Sequence, residues 1–128
     1  DRKAVLVIRQ DLEDNAKEIM TALHGAGLVH LALRREKGAD LEEAGRIENA
    51  EKPAGAALTR IGIEKRGNSF ALFVSLNGEP MHRVGASVEL PFAGPFYVGL
   101  GFCSHVPDKA DTAVLAHVVL ENSAGKVR

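Results

Sequence analysis

From Arg60 to Leu120 the chain reads as a succession of short strands punctuated by turn residues. TRIGIEKR runs into Gly67-Asn68, SFALFVSL into Asn77-Gly78-Glu79-Pro80, and MHRVGASVEL ends at Pro91. FYVGLGFCSH follows Pro95, and TAVLAHVVLE closes the series. Runs this short, rich in β-branched and aromatic residues and separated by Gly, Asn and Pro, specify antiparallel strands in a sandwich or barrel. The expected fold class is all-β, an antiparallel β-sandwich.

The front of the chain extends the pattern. Lys3 to Gln10 is rich in Val, Leu and Ile and predicts a strand buried on both faces. Ala16 to Leu23 carries two patterns. Ile19, Met20 and Leu23 have helical spacing, with Asp14 or Asn15 as a cap. Gly25-Ala26-Gly27 followed by the strand-like run from Leu28 to Arg35 favours instead a hairpin of 17–23 with 28–35. Lys37 to Asp40 reads as a turn. Leu41 to Ile47 fits a short amphipathic helix or an edge strand, and Gly45 weakens both. Asn49 to Ala56 reads as a loop.

With 128 residues the chain fits one domain, 1–128, large enough to bury a core without a disulfide or metal. Sixteen basic and 17 acidic residues leave a net charge of −1, which gives no general attraction to nucleic acid or to an anionic membrane. No run is apolar enough to insert in a bilayer. Cys103 is the single cysteine, so no internal disulfide forms, and its apolar surroundings in sequence predict a buried small hydrophobe. Tryptophan is absent and Tyr97 is the one tyrosine, which counts against a sugar site built on stacked aromatics. A site built from hydrogen bonds stays open.

Alternation divides each strand into faces. Ile61 and Ile63 oppose Arg60, Glu64 and Arg66. Phe70, Leu72, Val74 and Leu76 share one face of the next strand. Phe96, Val98, Leu100 and Phe102 form a heavy apolar row predicted to point inward. Its reverse carries Tyr97, Gly99, Gly101, Cys103 and, past the strand end, His105. Two glycines at i and i+2 hollow a sheet face. Either a bulky neighbour, Phe73 or an arginine, fills the gap, or it forms a groove lined by Tyr97 and His105.

IEKRGNSFALFVSLNGEP, PFYVGLGFCSH and a closing run ending in VVLEN together resemble the concanavalin A-like, laminin G-type jelly-roll modules of bacterial secreted proteins. Those that accompany Tol-type β-propeller repeats are the most similar. AVLVIRQ, ALHGAGL and LALRRE fit the same pattern, so the resemblance covers nearly the whole chain. It implies a jelly roll, a periplasmic or extracellular location, and a lectin-like binding or accessory role toward a glycan or a protein. In such modules several strands precede the segment matching AVLVIRQ, and here only Asp1 and Arg2 do. The expectation is a piece of a longer protein whose sheets are completed by another segment or by a homo-oligomer. Met81 also stands where related modules often carry an aromatic.

The polar candidates are few. Arg9, Arg34, Arg60 and Arg66 fall at strand ends or off the core, and Gln10 adds an amide; such donors suit carboxylates or sugar hydroxyls. The candidate ligand-binding set is Arg9, Gln10, His24, Arg34, Arg60, Glu64, Tyr97, Gly99, Gly101 and His105. The alternative is a solvated ion-pair face, with Glu64 held by Arg60, Arg66 or Arg34. A glycosidase needs two carboxylates across a cleft, and Glu64 has only Glu18 and Glu36 as partners, with nothing to bring them together. The five histidines show no ligand spacing along one strand or helix, so no metal site is expected. Calcium, which often staples such folds, would draw on Asp11, Glu13 and Asp14 or on Asp108 and Asp111. The balance favours a non-catalytic module over a glycoside hydrolase, with a structural assembly module as a further alternative.

Overall fold

A computed structural model describes residues 2–47 and 57–126. Among these there is no helix; the chain forms two antiparallel sheets and a short hairpin. The strands are β1 (Lys3–Arg9), β2 (Glu18–His24), β3 (Val29–Arg34), β4 (Glu42–Ile47), β5 (Leu58–Arg66), β6 (Ser69–Leu76), β7 (His82–Glu89) and β8 (Tyr97–Cys103), with β9 (Glu121–Asn122) and β10 (Gly125–Lys126) as the hairpin. One sheet has the order β4-β3-β2-β1-β8 and the other β5-β6-β7. The expected sandwich is observed.

Turn chemistry sets the registers. Gly67, at φ 58, opens the two-residue loop between Arg66 and Ser69, the place that type II′ hairpins reserve for glycine. Asn77 and Gly78, at φ 54 and 74, make the left-handed pair of a type I′ turn closed by Glu79 N–H to the Leu76 carbonyl at 3.0 Å. The 17–23/28–35 hairpin forms as β2 and β3, closed by His24 N–H to Leu28 O at 2.8 Å. The helical alternative for 16–23 fails because Ile19, Thr21 and Leu23 are needed on one face of a ladder, at period two. Residues 42–47 are the edge strand, not the helix. The loop expected over 49–56 lies outside the described residues.

The core lies between the sheets. Ile8, Ile19, Val29, Leu31 and Leu33 face Phe70, Leu72 and Val74, and Leu90 seals the margin. Thr21, fully buried, donates its hydroxyl to the Gly62 carbonyl at 2.9 Å, pinning one sheet to the other through a satisfied polar group. Phe92 is drawn onto the core, its ring edge-on to Phe70 at 5.6 Å.

The structure corrects four expectations. TAVLAHVVLE is not a strand: residues 112–120 pair with nothing in a ladder, and His117 at φ 54 breaks the extended run that pairing requires. Lys3–Arg9 is only half-buried at most positions rather than closed on both faces. Cys103 is exposed. The apolar row of β8 does point to the inner side, in register with Ile8, Leu6 and Ala4, yet Val98 and Leu100 are 48% and 50% exposed. The cause is the unequal size of the sheets. β5 lies over β1 and β2, β6 over β3 and β7 over β4, so β8 extends past the margin of the smaller sheet.

Candidate functional site

The ten residues expected to line one site fall in three places. Arg9, Gln10, Arg34 and Tyr97 gather at one end of the five-stranded sheet. His24 and His105 lie toward the other end, with Gly99 and Gly101 between on β8. Arg60 and Glu64 belong to the three-stranded sheet.

At the first end the arginines are consumed by the chain itself. Glu18 is 4% exposed and ion-pairs with both: Arg34 Nη1 donates to its Oε1 at 3.2 Å, and Arg9 Nη1 lies 3.1 Å from its Oε2 without hydrogen-bond geometry. The remaining donors tie down the flanking loops. Arg9 Nε donates to Asp11 O at 3.2 Å and its Nη2 to Glu13 O. Arg34 Nε donates to Ala39 O at 2.8 Å and its Nη1 to Ala16 O at 3.0 Å. Gln10 spans to the 91–96 loop, giving Nε2 to Ala93 O at 2.7 Å and accepting from Ala93 N–H at 2.8 Å. These groups build a buried ion cluster with a laced loop, so their planar forks serve the backbone.

The glycine-thinned face is crowded at Gly101 and open enough at Gly99 for an ordinary side-chain contact. A Cβ on Gly101 would sit 2.9 Å from Val5 Cγ2, and one on Gly99 3.8 Å from Val7 Cγ1. The neighbour that crowds Gly101 is Val5 on β1, one strand over on the same face, and not Phe73, which belongs to the other sheet, or an arginine. Glu64 pairs with Arg66 at 2.8 Å, one of its expected partners. Glu18 and Glu64 stand in different sheets, one buried and one at the surface, and do not form a carboxylate pair across a cleft. Asp11 contacts Lys37 and Asp111 contacts Arg2, each at 3.2 Å, so both calcium candidates are engaged by cations. Among the described residues no three His, Cys, Asp or Glu side chains are grouped to hold a metal ion, and no helix is long and apolar enough to cross a membrane.

One polar constellation escaped the sequence. His24 and His30 project from the same face of the β2–β3 hairpin, their Nε2 atoms 3.1 Å apart and their rings edge-on at 4.8 Å. His30 Nδ1 in turn meets Glu43 Oε2 at 2.9 Å. An ionised Glu43 makes His30 Nδ1 the donor, so neutral His30 accepts at Nε2 from His24. The signal was available in the predicted hairpin, because residues six apart across a three-residue turn share a face. Desolvation lowers the pKa of His24 below 6.5, aided by the charges of His30, Lys3 and His105. The unfolded chain therefore takes up this proton first, so the contribution of His24 is fully present above about pH 6.5 and is lost as pH falls beneath it. Urea midpoints measured from pH 7.5 to 5 should fall on the acid side, and His24→Asn should flatten that part of the profile. An equally steep profile in the variant assigns the loss to another group.

Exposed large apolar side chains are concentrated late in the chain. Among the described residues twelve large hydrophobic side chains stand exposed, and of these only Leu12 and Leu41 lie outside 96–120. The others are on or around β8, including Phe96, Val98 and Leu100, and along the unpaired 112–120 stretch, including Val114 at 88% exposure. That stretch leaves the Arg2–Asp111 ion pair and reaches β5, where Arg60 Nη2 donates to His117 O at 3.1 Å. Between its start and the sheets lies an open cavity of about 360 Å³ lined by Ala4, Leu23, Leu58, Phe102 and Ala113, among others. Exposed apolar side chains concentrated in this way mark surfaces that partners cover.

Comparison with known protein families, with curated proteins and with solved structures gives no match to this chain.

Proposed function

We propose that this sandwich is a non-catalytic binding module whose ligand is a polypeptide, held along the apolar surface of β8 and the 112–120 stretch. The observation that carries the reading is the half-exposed inner row of β8, Val98 and Leu100, beside a strand edge with unpaired backbone groups. Such an edge supplies main-chain hydrogen bonds and the row supplies apolar pockets at alternate positions, which is how sheets take up an extended peptide. The candidate glycan groups weigh the other way, since Arg9, Arg34 and Gln10 are occupied by the chain's own carbonyls and by Glu18. The likeness to laminin G-type modules agrees with an accessory role.

Calorimetry with short, uncharged, extended apolar peptides tests the reading. Binding is expected, with a negative heat-capacity change. Leu100→Lys should weaken it roughly tenfold or more, the size of a lost interface anchor. A panel of oligosaccharides should give no heat. Tight binding of a glycan by Leu100→Lys, with no peptide bound by either form, would sink the proposal.

A further inference from the structure

We infer that the polypeptide is a second copy of this chain, docked β8 to β8 about a two-fold axis normal to the sheet at Leu100. The inference rests on the polypeptide-binding reading above. The two larger sheets have four edge strands, and three are guarded by charge: β4 carries Glu42, Glu43 and Arg46, β5 carries Arg60, Glu64 and Arg66, and β7 carries Arg83 and Glu89. β7 is further broken by a register shift. Charges and irregularities of this sort are what keep free edges from pairing. β8, YVGLGFC, has no charge, no proline and an unbroken seven-residue register with β1.

Its sequence is also self-complementary. In an antiparallel pair centred on Leu100, Val98 lies opposite the partner's Phe102 and Leu100 opposite the partner's Leu100, which continues the apolar inner row across the join. On the outer face Gly99 meets the partner's Gly101, and Tyr97 meets the partner's Cys103. No like charges meet anywhere along the edge, which is about 24 Å long at ~3.4 Å per residue. The operation closes at two copies, because it buries the edge it uses. The two five-stranded sheets become one sheet of ten strands, and the 112–120 stretches of both copies flank the joined rows.

Two variants of the full chain test this. In sedimentation velocity the wild type should show a dimer whose fraction rises with concentration. Leu100→Lys, which sets two ammonium groups against each other on the axis, should sediment as a monomer with an unchanged circular dichroism spectrum and an unfolding midpoint that does not vary with concentration. Tyr97→Cys places its thiol opposite the partner's Cys103. Within one copy these two positions are about 20 Å apart along the strand, too far for a disulfide. Mild oxidation should therefore yield a covalent dimer of twice the mass, reversed by reductant. A wild type that is monomeric at every concentration with no covalent dimer from Tyr97→Cys overturns the inference, as does an open-ended ladder of larger species. If apolar peptides still bind to such a monomer, the polypeptide-binding reading stands and only the identity of the partner falls. If peptides fail as well, both fall.

Discussion

Replacing Glu18 by alanine is expected to lower the unfolding free energy by about 3 kcal/mol or more, because it leaves two cations beside a low-dielectric site with no counter-charge. The carboxylate side chain is 6% exposed, while Arg9 and Arg34 are 24% and 14% exposed, so water does not replace it. The loss reaches further than the pair. The same two guanidinium groups hold the carbonyls of Asp11, Glu13, Ala16 and Ala39, so the 11–16 loop and the 37–39 turn should loosen together. Urea unfolding at neutral pH measures the first effect and amide exchange in those loops the second. Glu18→Gln should be intermediate, since it keeps an acceptor for Arg34 while losing the charge. A cost under about 1 kcal/mol for Glu18→Ala would mean that the cluster behaves like a surface ion pair.

Phe70→Ala is expected to cost about 3–5 kcal/mol, the range for emptying an aromatic site in a packed core. Phe70 is completely buried at the meeting point of both sheets and the 91–96 loop, where Phe92 packs edge-on against it. Val114→Ala is the matched control. At 88% exposure it loses little on truncation and should shift stability by less than about 0.5 kcal/mol. Thermal or urea unfolding of the two variants separates apolar residues that hold the fold from those that stand free. Equal effects would contradict the division between core and exposed surface.

Much of the fold was legible because it rests on local chemistry. Asn77-Gly78 and Gly67 need backbone conformations that few residues adopt, and both mark hairpins where they were expected. The two-residue alternation of Phe70, Leu72 and Val74 fixed which side of β6 is buried. The failures share a different cause. The inner row of β8 was read correctly as facing inward, but whether anything lies across from it depends on the width of the opposite sheet. TAVLAHVVLE has the composition of a strand and lacks one because His117 turns left-handed in its middle and no neighbouring strand takes up its backbone. The candidate site fared similarly. Strand-end arginines are ambiguous until their partners are known, and Glu18, nine residues from Arg9 and sixteen from Arg34, gave no sign of collecting both.

The sequence by itself determined the all-β class, the places of the hairpin turns and the two faces of β5, β6 and β8, because turn conformations and side-chain alternation act over a few residues. Only the tertiary structure decided which apolar row is covered and which is left open, which arginines are free and which are consumed, and which edge lacks guarding charge. Those are properties of elements far apart in the chain. They follow from a five-stranded sheet facing a three-stranded one, an inequality that leaves the uncharged β8 unpaired at its edge and half-exposed on its inner side.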